Sequence, residues 1–365
     1  MVVMLVTLAV LPLTSCDDAQ PIKIGYVGGL TGRYADLGQA GRDGALLAIE
    51  LANQAGGLNG RPIELIVKDD GQDPDVARIV GQELIVSGVV AVVGHMTSSM
   101  SVIGEEIFSR AKVPLISPTT STNHLSARDD YFFRVYPSSK GAAKQLAQWV
   151  GRDFAFKSIV ALYDLNNRDH AESWLNSFDV SLQTYGGNVV EAYSFDSQNL
   201  DAVSVAVAAA VSTRSDGVFV LANALDSARI IQNLRKSGDF RPIFVSEWSA
   251  TDELLRLGGG AVDGVKFLST IDLRSKSTKY QSFRASYFRR FKENPSFAAI
   301  HAGDTVRFLL SVLERDSNPK RLKRNLLSAG KFEGLQRTFF LNEFGDVNRE
   351  LFRMTVKGGR FVPAD

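Results

Sequence analysis

Residues 89–99, VVAVVGHMTSS, form the stretch that decides the fold of this 365-residue chain. The first five of them are all apolar. Such a run predicts a strand buried on both faces of a sheet, because half-exposed strands alternate apolar with polar residues. A helical segment at 100–111 and a second strand at 114–117 follow. Strand, helix and strand in this order predict a βαβ unit with parallel strands.

The same alternation extends over most of the chain. Ahead of this stretch it predicts strands at 22–27 and 63–68 and helices at 38–54 and 75–87. A second series follows, with helices at 140–152, 171–185, 200–212 and 226–237 and strands at 158–163, 189–193, 217–221 and 243–246. Two such series predict an α/β fold of two Rossmann-like lobes, each with a parallel central sheet. Near the C-terminus, segments 338–341 and 351–357 are expected to form a β-hairpin.

Composition and motifs argue against several classes of function. The net charge is +1 and the basic residues are spread along the chain, which argues against a nucleic-acid partner. The sequence has four histidines without metal-ligand spacing and lacks a G-x-S-x-G nucleophile motif. Glycines after the first strand do not follow the dinucleotide pattern G-x-G-x-x-G. We therefore expect no enzymatic activity, no cofactor and no metal.

The N-terminus has the features of a lipoprotein signal peptide. Residues 1–13 are almost wholly apolar, and this run is shorter than the roughly 20 residues of a stable membrane span. It ends in Leu13-Thr14-Ser15-Cys16, which resembles the bacterial lipobox, in which the cysteine is lipidated and becomes the new N-terminus. We expect a signal peptide at 1–16 and a lipid anchor on the periplasmic or extracellular face of the cytoplasmic membrane. The alternative is a buried N-terminal strand with an incidental cysteine.

Polar residues follow the predicted strands at the ends where open parallel sheets bind ligands. Hydroxyls dominate in the first lobe, whereas an arginine, an asparagine and a glutamate mark the second. A helix is predicted to start beside Ser98, and the free N–H groups and positive dipole end of a helix start suit a carboxylate. The candidate ligand-binding residues are Ser98, Thr119, Ser121, Arg168, Asn223 and Glu247.

Some of these candidates also have a purely structural interpretation. Ser98 can serve only as the N-cap of the helix that follows it. Glu247 can be a solvated loop charge, and Arg168 can turn to the rim of the site and bind nothing. The sequence alone leaves these alternatives open.

An ordered set of short motifs resembles the type I periplasmic binding proteins, in the branch that binds leucine, isoleucine and valine. The set includes Ala55-Gly56-Gly57-Leu58-Asn59-Gly60, Asp69-Asp70-Gly71-Gln72-Asp73-Pro74, Gly94-His95-Met96-Thr97-Ser98-Ser99, Ile116-Ser117-Pro118 and Asn342-Glu343-Phe344-Gly345-Asp346. The resemblance runs from Ile22 nearly to the C-terminus. It implies two lobes joined by three crossovers, with a ligand enclosed between them. Lobe 1 is expected at 22–137 plus 270–336, and lobe 2 at 138–269 plus 337–365.

The resemblance also implies roles for the candidate residues. In the amino-acid binders of this family, first-lobe hydroxyls and backbone amides hold the α-carboxylate, a role that maps onto Ser98, Thr119 and Ser121. A second-lobe glutamate, here Glu247, holds the α-ammonium. The implied function is the extracytoplasmic solute-binding component of an ABC importer. Its expected ligand is an amino acid or related small polar molecule, and its expected partner is an ABC permease.

The sequence departs from the family pattern around the expected site. Two cysteines that form a disulfide in close relatives are replaced by Gln72 and Thr97, and two second-lobe pocket tyrosines by Arg168 and Asn223. A guanidinium and an amide do not suit a leucine side chain, because buried polar groups without partners are costly. We therefore expect a ligand with an additional polar group. Two alternatives stay open: a free-standing sensor of the same fold, and a binder of an amine-free organic or aromatic acid.

Overall fold

The computed structural model describes residues 20–364, in which strands and α-helices alternate. The strands are β1 (Ile22–Gly28), β2 (Ile63–Asp69), β3 (Ala91–Val93), β4 (Leu115–Ser117), β5 (Phe132–Arg134), β6 (Ser158–Asp164), β7 (Asn188–Phe195), β8 (Gly217–Leu221), β9 (Ile243–Val245), β10 (Lys266–Ser269), β11 (Phe332–Glu333), β12 (Thr338–Phe339), β13 (Phe352–Lys357) and β14 (Arg360–Pro363). The α-helices are α1 (Ala35–Gln54), α2 (Pro74–Val86), α3 (Ser98–Ala111), α4 (Ser139–Gln148), α5 (Arg168–Gln183), α6 (Leu200–Ser212), α7 (Ala224–Lys236), α8 (Asp252–Gly258), α9 (Thr278–Phe291), α10 (Phe297–Arg315) and α11 (Leu322–Leu327). The predicted signal peptide and Cys16 lie outside the described residues.

The first sheet is parallel throughout, with strand order β2-β1-β3-β4-β5. All three residues of its central strand β3 are fully buried, as the apolar run predicts. Helices α1 and α10 pack on one face of the sheet, and α2 and α3 pack on the other. Because the strands are parallel, the loops at their carboxyl ends meet at one edge.

The second sheet is mixed, with strand order β14-β13-β10-β9-β8-β6-β7. Strands β6 to β10 run parallel, and β13 and β14 form an antiparallel edge. The hairpin expected between 338–341 and 351–357 is wrong, since β12 pairs with β11 and β13 pairs with β14. The turn between β13 and β14 consists of Gly358 and Gly359, at φ 57° and 68°. Two residues at positive φ suit the twist of a two-residue hairpin, and glycine adopts this conformation without strain.

The chain passes three times between the two lobes. The first passage lies between β5 and α4, the second between β10 and α9, and the third precedes β13. The core of lobe 1 contains Phe339, Leu341 and Val347, although the sequence boundary assigned residues 337–347 to lobe 2. Phe339 packs against Phe332 and Phe308, with ring centroids 5.4 and 5.7 Å away. Residues 337–347 therefore pack with lobe 1, and the third passage between the lobes lies at residues 348–351.

Candidate functional site

A small enclosed cavity lies between the two lobes, at the carboxyl ends of strands from both sheets. Its volume is about 10 Å³, the scale of one water molecule. Its walls are Leu37, Met96, Thr97, Ser98, Thr119, Tyr136, Asn167, His170, Trp248 and Phe297. Most of them follow β3, β4 and β5 in one lobe or β6 and β9 in the other. Residues at strand ends of both lobes therefore form one cavity, in the place where the resemblance implies a cleft.

Gly94 sets the direction in which the chain leaves β3 toward this cavity. Its φ is +137°, and a Cβ at this position would lie 2.1 Å from the carbonyl oxygen of Val27. Only glycine fits both the conformation and the contact with β1. This turn brings the start of α3 to the cavity wall.

The N-termini of α3 and α5 meet at the cavity, one from each lobe. The side-chain oxygen of Asn167, the N-cap of α5, accepts a hydrogen bond from the Ser99 backbone N–H at 3.2 Å. The Ser99 hydroxyl oxygen in turn accepts from the Asp169 N–H at 3.2 Å. The positive ends of both helix dipoles therefore lie beside the same space, which favours an anion there.

Two of the three first-lobe candidates line the cavity. The Ser98 hydroxyl oxygen accepts from the backbone N–H groups of Ser121 and Thr122 at 3.3 Å each. The Thr119 hydroxyl donates to the carbonyl oxygen of Met96. Ser121 lies further back and shares a 2.9 Å hydrogen bond with His170 Nδ1 of the other lobe. Ser98 and Thr119 are thus placed to contact a ligand, whereas Ser121 contributes to the contact between the lobes.

Glu247 is buried but does not form part of the cavity wall. Its Oε1 accepts from the Ser269 hydroxyl at 2.6 Å and from the Thr270 N–H at 2.8 Å. Its Oε2 accepts from the Tyr136 hydroxyl at 2.8 Å and from the Thr270 hydroxyl at 2.9 Å. Burial raises the pKa of Glu247, and the four hydrogen bonds oppose this effect. The alternative of a solvated loop charge is excluded.

Arg168 does not form part of the cavity wall, so its position does not support the expectation that it faces the ligand. Its side chain is 60% exposed and lies 3.4 Å from Glu172, one turn along the outer face of α5. Successive residues of a helix are rotated by about 100°. Asn167 and His170, three positions apart, therefore face the cavity, and Arg168 between them does not.

Asn223 is buried but belongs to a different contact. It is the N-cap of α7, where its side-chain oxygen accepts from the Asp226 N–H at 2.8 Å. Its amide nitrogen donates to the Asp226 carboxylate at 2.7 Å. It does not form part of the cavity wall, so the expectation that it binds the ligand is not supported by its position.

An aromatic wall, formed by Tyr136, Trp248 and Phe297, lines the cavity. Tyr34 stacks on Trp248 with ring centroids 5.9 Å apart and planes 8° apart. Tyr136 packs against Phe297 at 6.0 Å, and His170 meets Trp248 edge-on at 5.1 Å. Burial lowers the pKa of His170 to about 3, so this ring is neutral at pH 7. Within the described chain, the buried indole N–H of Trp248 has no hydrogen-bond partner.

Polar contacts between the lobes surround the cavity. Arg33 of lobe 1 forms an ion pair with Asp226 of lobe 2. The Tyr34 hydroxyl donates to Asp164 at 2.6 Å, and burial raises the pKa of this carboxyl group. The two lobes are therefore held in contact by side chains as well as by the crossovers.

Gln72 and Thr97, where the resemblance implies two cysteines, are in direct contact. The Thr97 hydroxyl donates to Gln72 Oε1 at 2.8 Å. The Gln72 amide donates to the Asn166 carbonyl oxygen of the other lobe at 3.1 Å. A hydrogen bond thus joins these two loops, and one of its partners reaches across the cleft.

Sequence reasoning missed the aromatic wall. It also missed Asn167, the N-cap of α5, and His170 within that helix, which both line the cavity. Tyr136 comes two residues after β5, and Trp248 comes three residues after β9. Applying the strand-end rule to aromatic as well as polar residues finds both. Leu37 and Phe297 lie on helices and carry no such signal.

Among the described residues, no group of three or more His, Cys, Asp or Glu side chains is arranged to hold a metal ion.

Comparisons with known proteins agree with this architecture. A family model described as periplasmic binding protein matches residues 21–360. A leucine-, isoleucine-, valine-, threonine- and alanine-binding protein of Pseudomonas aeruginosa is 33% identical over 147 residues, which are 40% of this chain and 39% of that relative. A branched-chain amino acid transporter substrate-binding protein from Streptococcus pneumoniae, in complex with isoleucine, is 26% identical, with a TM-score of 0.85 over 93% of this chain and 97% of that one. An ABC transporter solute-binding protein from R. palustris, in complex with benzoate, is 20% identical, with a TM-score of 0.85 over 94% and 95%.

The chain belongs to the periplasmic binding proteins of type I, in the Leu/Ile/Val-binding branch. The predicted α/β fold with parallel central sheets is confirmed by these structural neighbours. Between residues 20 and 364, none of the helices combines the length and the apolar character that crossing a membrane requires.

Proposed function

We propose that this protein captures a small carboxylate-bearing solute between its lobes and presents it to the permease of an ABC importer. The observation that carries the proposal is the meeting of two helix N-termini, those of α3 and α5, at one enclosed cavity. A carboxylate at this point contacts the dipole ends of both lobes, so binding and lobe closure stabilise each other. The Ser98 hydroxyl is placed to donate to the same group.

An amino acid or related small polar molecule fits this description, and so does an organic acid. The relative from Streptococcus pneumoniae holds isoleucine and the one from R. palustris holds benzoate. Both ligands carry a carboxylate, which is the part that the two helix starts suit. The relatives therefore support a solute that carries a carboxylate. The rest of the solute has to match this chain's own cavity.

Purification of the protein from its own cells tests the proposal. Native mass spectrometry, followed by extraction of the bound molecule, is expected to identify a solute with a carboxylate. Small-angle scattering of the stripped protein is expected to show a smaller radius of gyration when that solute is added, because the lobes rotate as rigid bodies about the crossovers. An unchanged profile at saturating solute contradicts the proposal.

We also propose that Cys16 carries a lipid that holds the protein on the outer face of the cytoplasmic membrane. Support comes from the Leu13-Thr14-Ser15-Cys16 tetrad after an apolar run. The first strand begins at Ile22, six residues after Cys16. Cys16→Ala is expected to leave a soluble or unprocessed protein. Unchanged recovery in the membrane fraction contradicts lipidation.

A further inference from the structure

The cavity wall offers no anionic partner for an α-ammonium. Among the described residues that form it, none carries a charge at pH 7, since His170 is neutral. Both helix dipoles present their positive ends there. A cationic group on the ligand would thus be desolvated beside positive dipole ends, which is unfavourable.

Glu247, to which the resemblance assigns an α-ammonium, already has all its acceptor positions occupied. An ionised carboxylate has about four lone-pair positions. Four donors occupy them here, at 2.6 to 2.9 Å, from Tyr136, Ser269 and Thr270. The Tyr136 ring forms the cavity wall, and its hydroxyl takes a position on Oε2 that an ammonium would need.

Apart from the two helix starts, the cavity wall is mostly apolar and aromatic. The space holds about one water molecule in this closed arrangement, so it suits a flat apolar body only once the lobes move apart to admit it. Tyr136, Trp248 and Phe297 form its wall together with Leu37 and Met96. Aromatic rings pack favourably in stacked or edge-to-face arrangements. The buried Trp248 N–H, which has no partner in the described chain, supplies a donor for an oxygen of the ligand.

We infer that the solute is an amine-free carboxylate with an aromatic body, and that the cleft discriminates against an α-ammonium. The inference rests on the proposed function and narrows it to one class of solute. The carboxylate lies at the α3 and α5 starts, and the ring lies against the aromatic wall.

Calorimetric titration with matched pairs of compounds tests the inference. 3-Phenylpropionate and L-phenylalanine differ only in the ammonium group, as do 4-methylpentanoate and L-leucine. The amine-free member of each pair is expected to bind at least about 30-fold more tightly, because an unpaired buried charge costs binding affinity of this order or more. 3-Phenylpropionate is also expected to bind more tightly than 3-cyclohexylpropionate, since the flat ring stacks. Equal or tighter binding of the cyclohexyl compound overturns the aromatic part.

Two variants locate the source of the discrimination. Tyr136→Phe keeps the ring but frees one position on Glu247 Oε2, so the preference for 3-phenylpropionate over phenylalanine is expected to shrink at least threefold. Tyr193→Phe is the matched control, because the Tyr193 hydroxyl shares a hydrogen bond with Thr213 inside lobe 2 and contacts neither Glu247 nor the cavity. It is expected to leave the ratio unchanged. An unchanged ratio in Tyr136→Phe, or a change of equal size in both variants, overturns the role assigned to Glu247.

The outcomes separate this inference from the proposed function. If leucine or phenylalanine binds as tightly as its amine-free partner and compacts the protein, the inference fails and solute capture stands. If no carboxylate in the panel binds to the wild-type protein, the inference fails. If the molecule extracted from cells also lacks a carboxylate, the proposed function fails with it.

Discussion

Arg33 of lobe 1 forms an ion pair with Asp226 of lobe 2, across the gap between the lobes. The Asp226 side chain is completely buried in this arrangement, whereas Arg33 keeps 24% of its side chain exposed. Asp226 also accepts a hydrogen bond from Asn223, so its position on lobe 2 is fixed before the lobes meet. The buried Asp226 carboxylate therefore has its cationic partner only when the cleft is closed.

We expect Arg33→Ala to shift the protein toward an open form. Without the guanidinium, closure buries the Asp226 charge unpaired, whereas opening returns it to water. Binding of the native solute is expected to weaken at least about tenfold, within the usual range of such couplings. Scattering and calorimetry measure the two effects.

Arg42→Ala is the control for this prediction, because Arg42 pairs with Asp43 on its own helix. It is expected to change neither closure nor affinity. The double variant Arg33→Ala/Asp226→Asn is expected to recover part of the lost affinity, since an amide needs no cation. Full affinity and normal compaction in Arg33→Ala would show that the pair is irrelevant to closure.

Arg168→Ala is expected to change solute affinity by less than about threefold. The side chain is exposed and, among the described residues, pairs with Glu172 alone, and exposed ion pairs contribute little. Asn167→Ala is expected to cost about 1–2 kcal/mol of binding free energy, because it removes the acceptor that joins α5 to Ser99. Comparing the two variants by calorimetry tests the assignment. A larger loss in Arg168→Ala would place the guanidinium in the site after all.

The start of α5 shows how far sequence reasoning reaches. The strand-end rule points to the segment after β6, which carries the candidate Arg168, and the cavity includes Asn167 of that segment. It could not tell which of these side chains faces inward. That choice depends on where the first turn of the helix begins, and a shift of one residue rotates every side chain by about 100°.

Glu247 shows a second limit. The sequence predicts that Glu247 follows the end of a strand, and the resemblance implies that it lies in the cleft. Neither predicts its hydrogen-bond partners. Ser269 and Thr270 lie 22 and 23 residues away, and Tyr136 lies 111 residues away. The Tyr136 hydroxyl reaches it only after the first crossover has brought the end of β5 close to the lobe that contains β9 and β10. The local sequence does not show whether such a carboxylate is free or already has all its acceptor positions occupied by hydrogen bonds.

Glu247→Gln is expected to reduce stability more than it reduces solute binding. One amide NH₂ would face two of the present donors and leave them without an acceptor, at a cost of about 1–3 kcal/mol. Because no part of Glu247 forms the cavity wall, the affinity for an amine-free carboxylate is expected to fall by less than about fivefold. Urea unfolding and calorimetry on the same variant measure both quantities. Unchanged stability with a large loss of affinity would instead identify Glu247 as a direct ligand contact.

Asp36 gives a prediction about pH. It lies at the start of α1, accepts a hydrogen bond from the Thr251 hydroxyl of lobe 2 at 3.0 Å, and faces Glu253. Burial, followed by the negative charge of Glu253, raises the pKa of Asp36 from 3.8 to about 6. The stability linked to this raised pKa is fully present below 3.8, and it is lost as the pH rises through about 6.

Asp36→Asn is therefore expected to stabilise the protein at pH 7.5 by about 1–2 kcal/mol and to have little effect near pH 4. An amide oxygen still accepts from Thr251, but it cannot acquire the charge that burial disfavours. Urea unfolding of both proteins between pH 4 and 8 measures the difference. Glu253→Gln serves as the control, since removing that neighbouring charge is expected to lower the pKa of Asp36 and to shrink the gain from Asp36→Asn at pH 7.5. A gain that does not vary with pH, or a loss of stability at pH 7.5, would show that folding does not raise the pKa of Asp36.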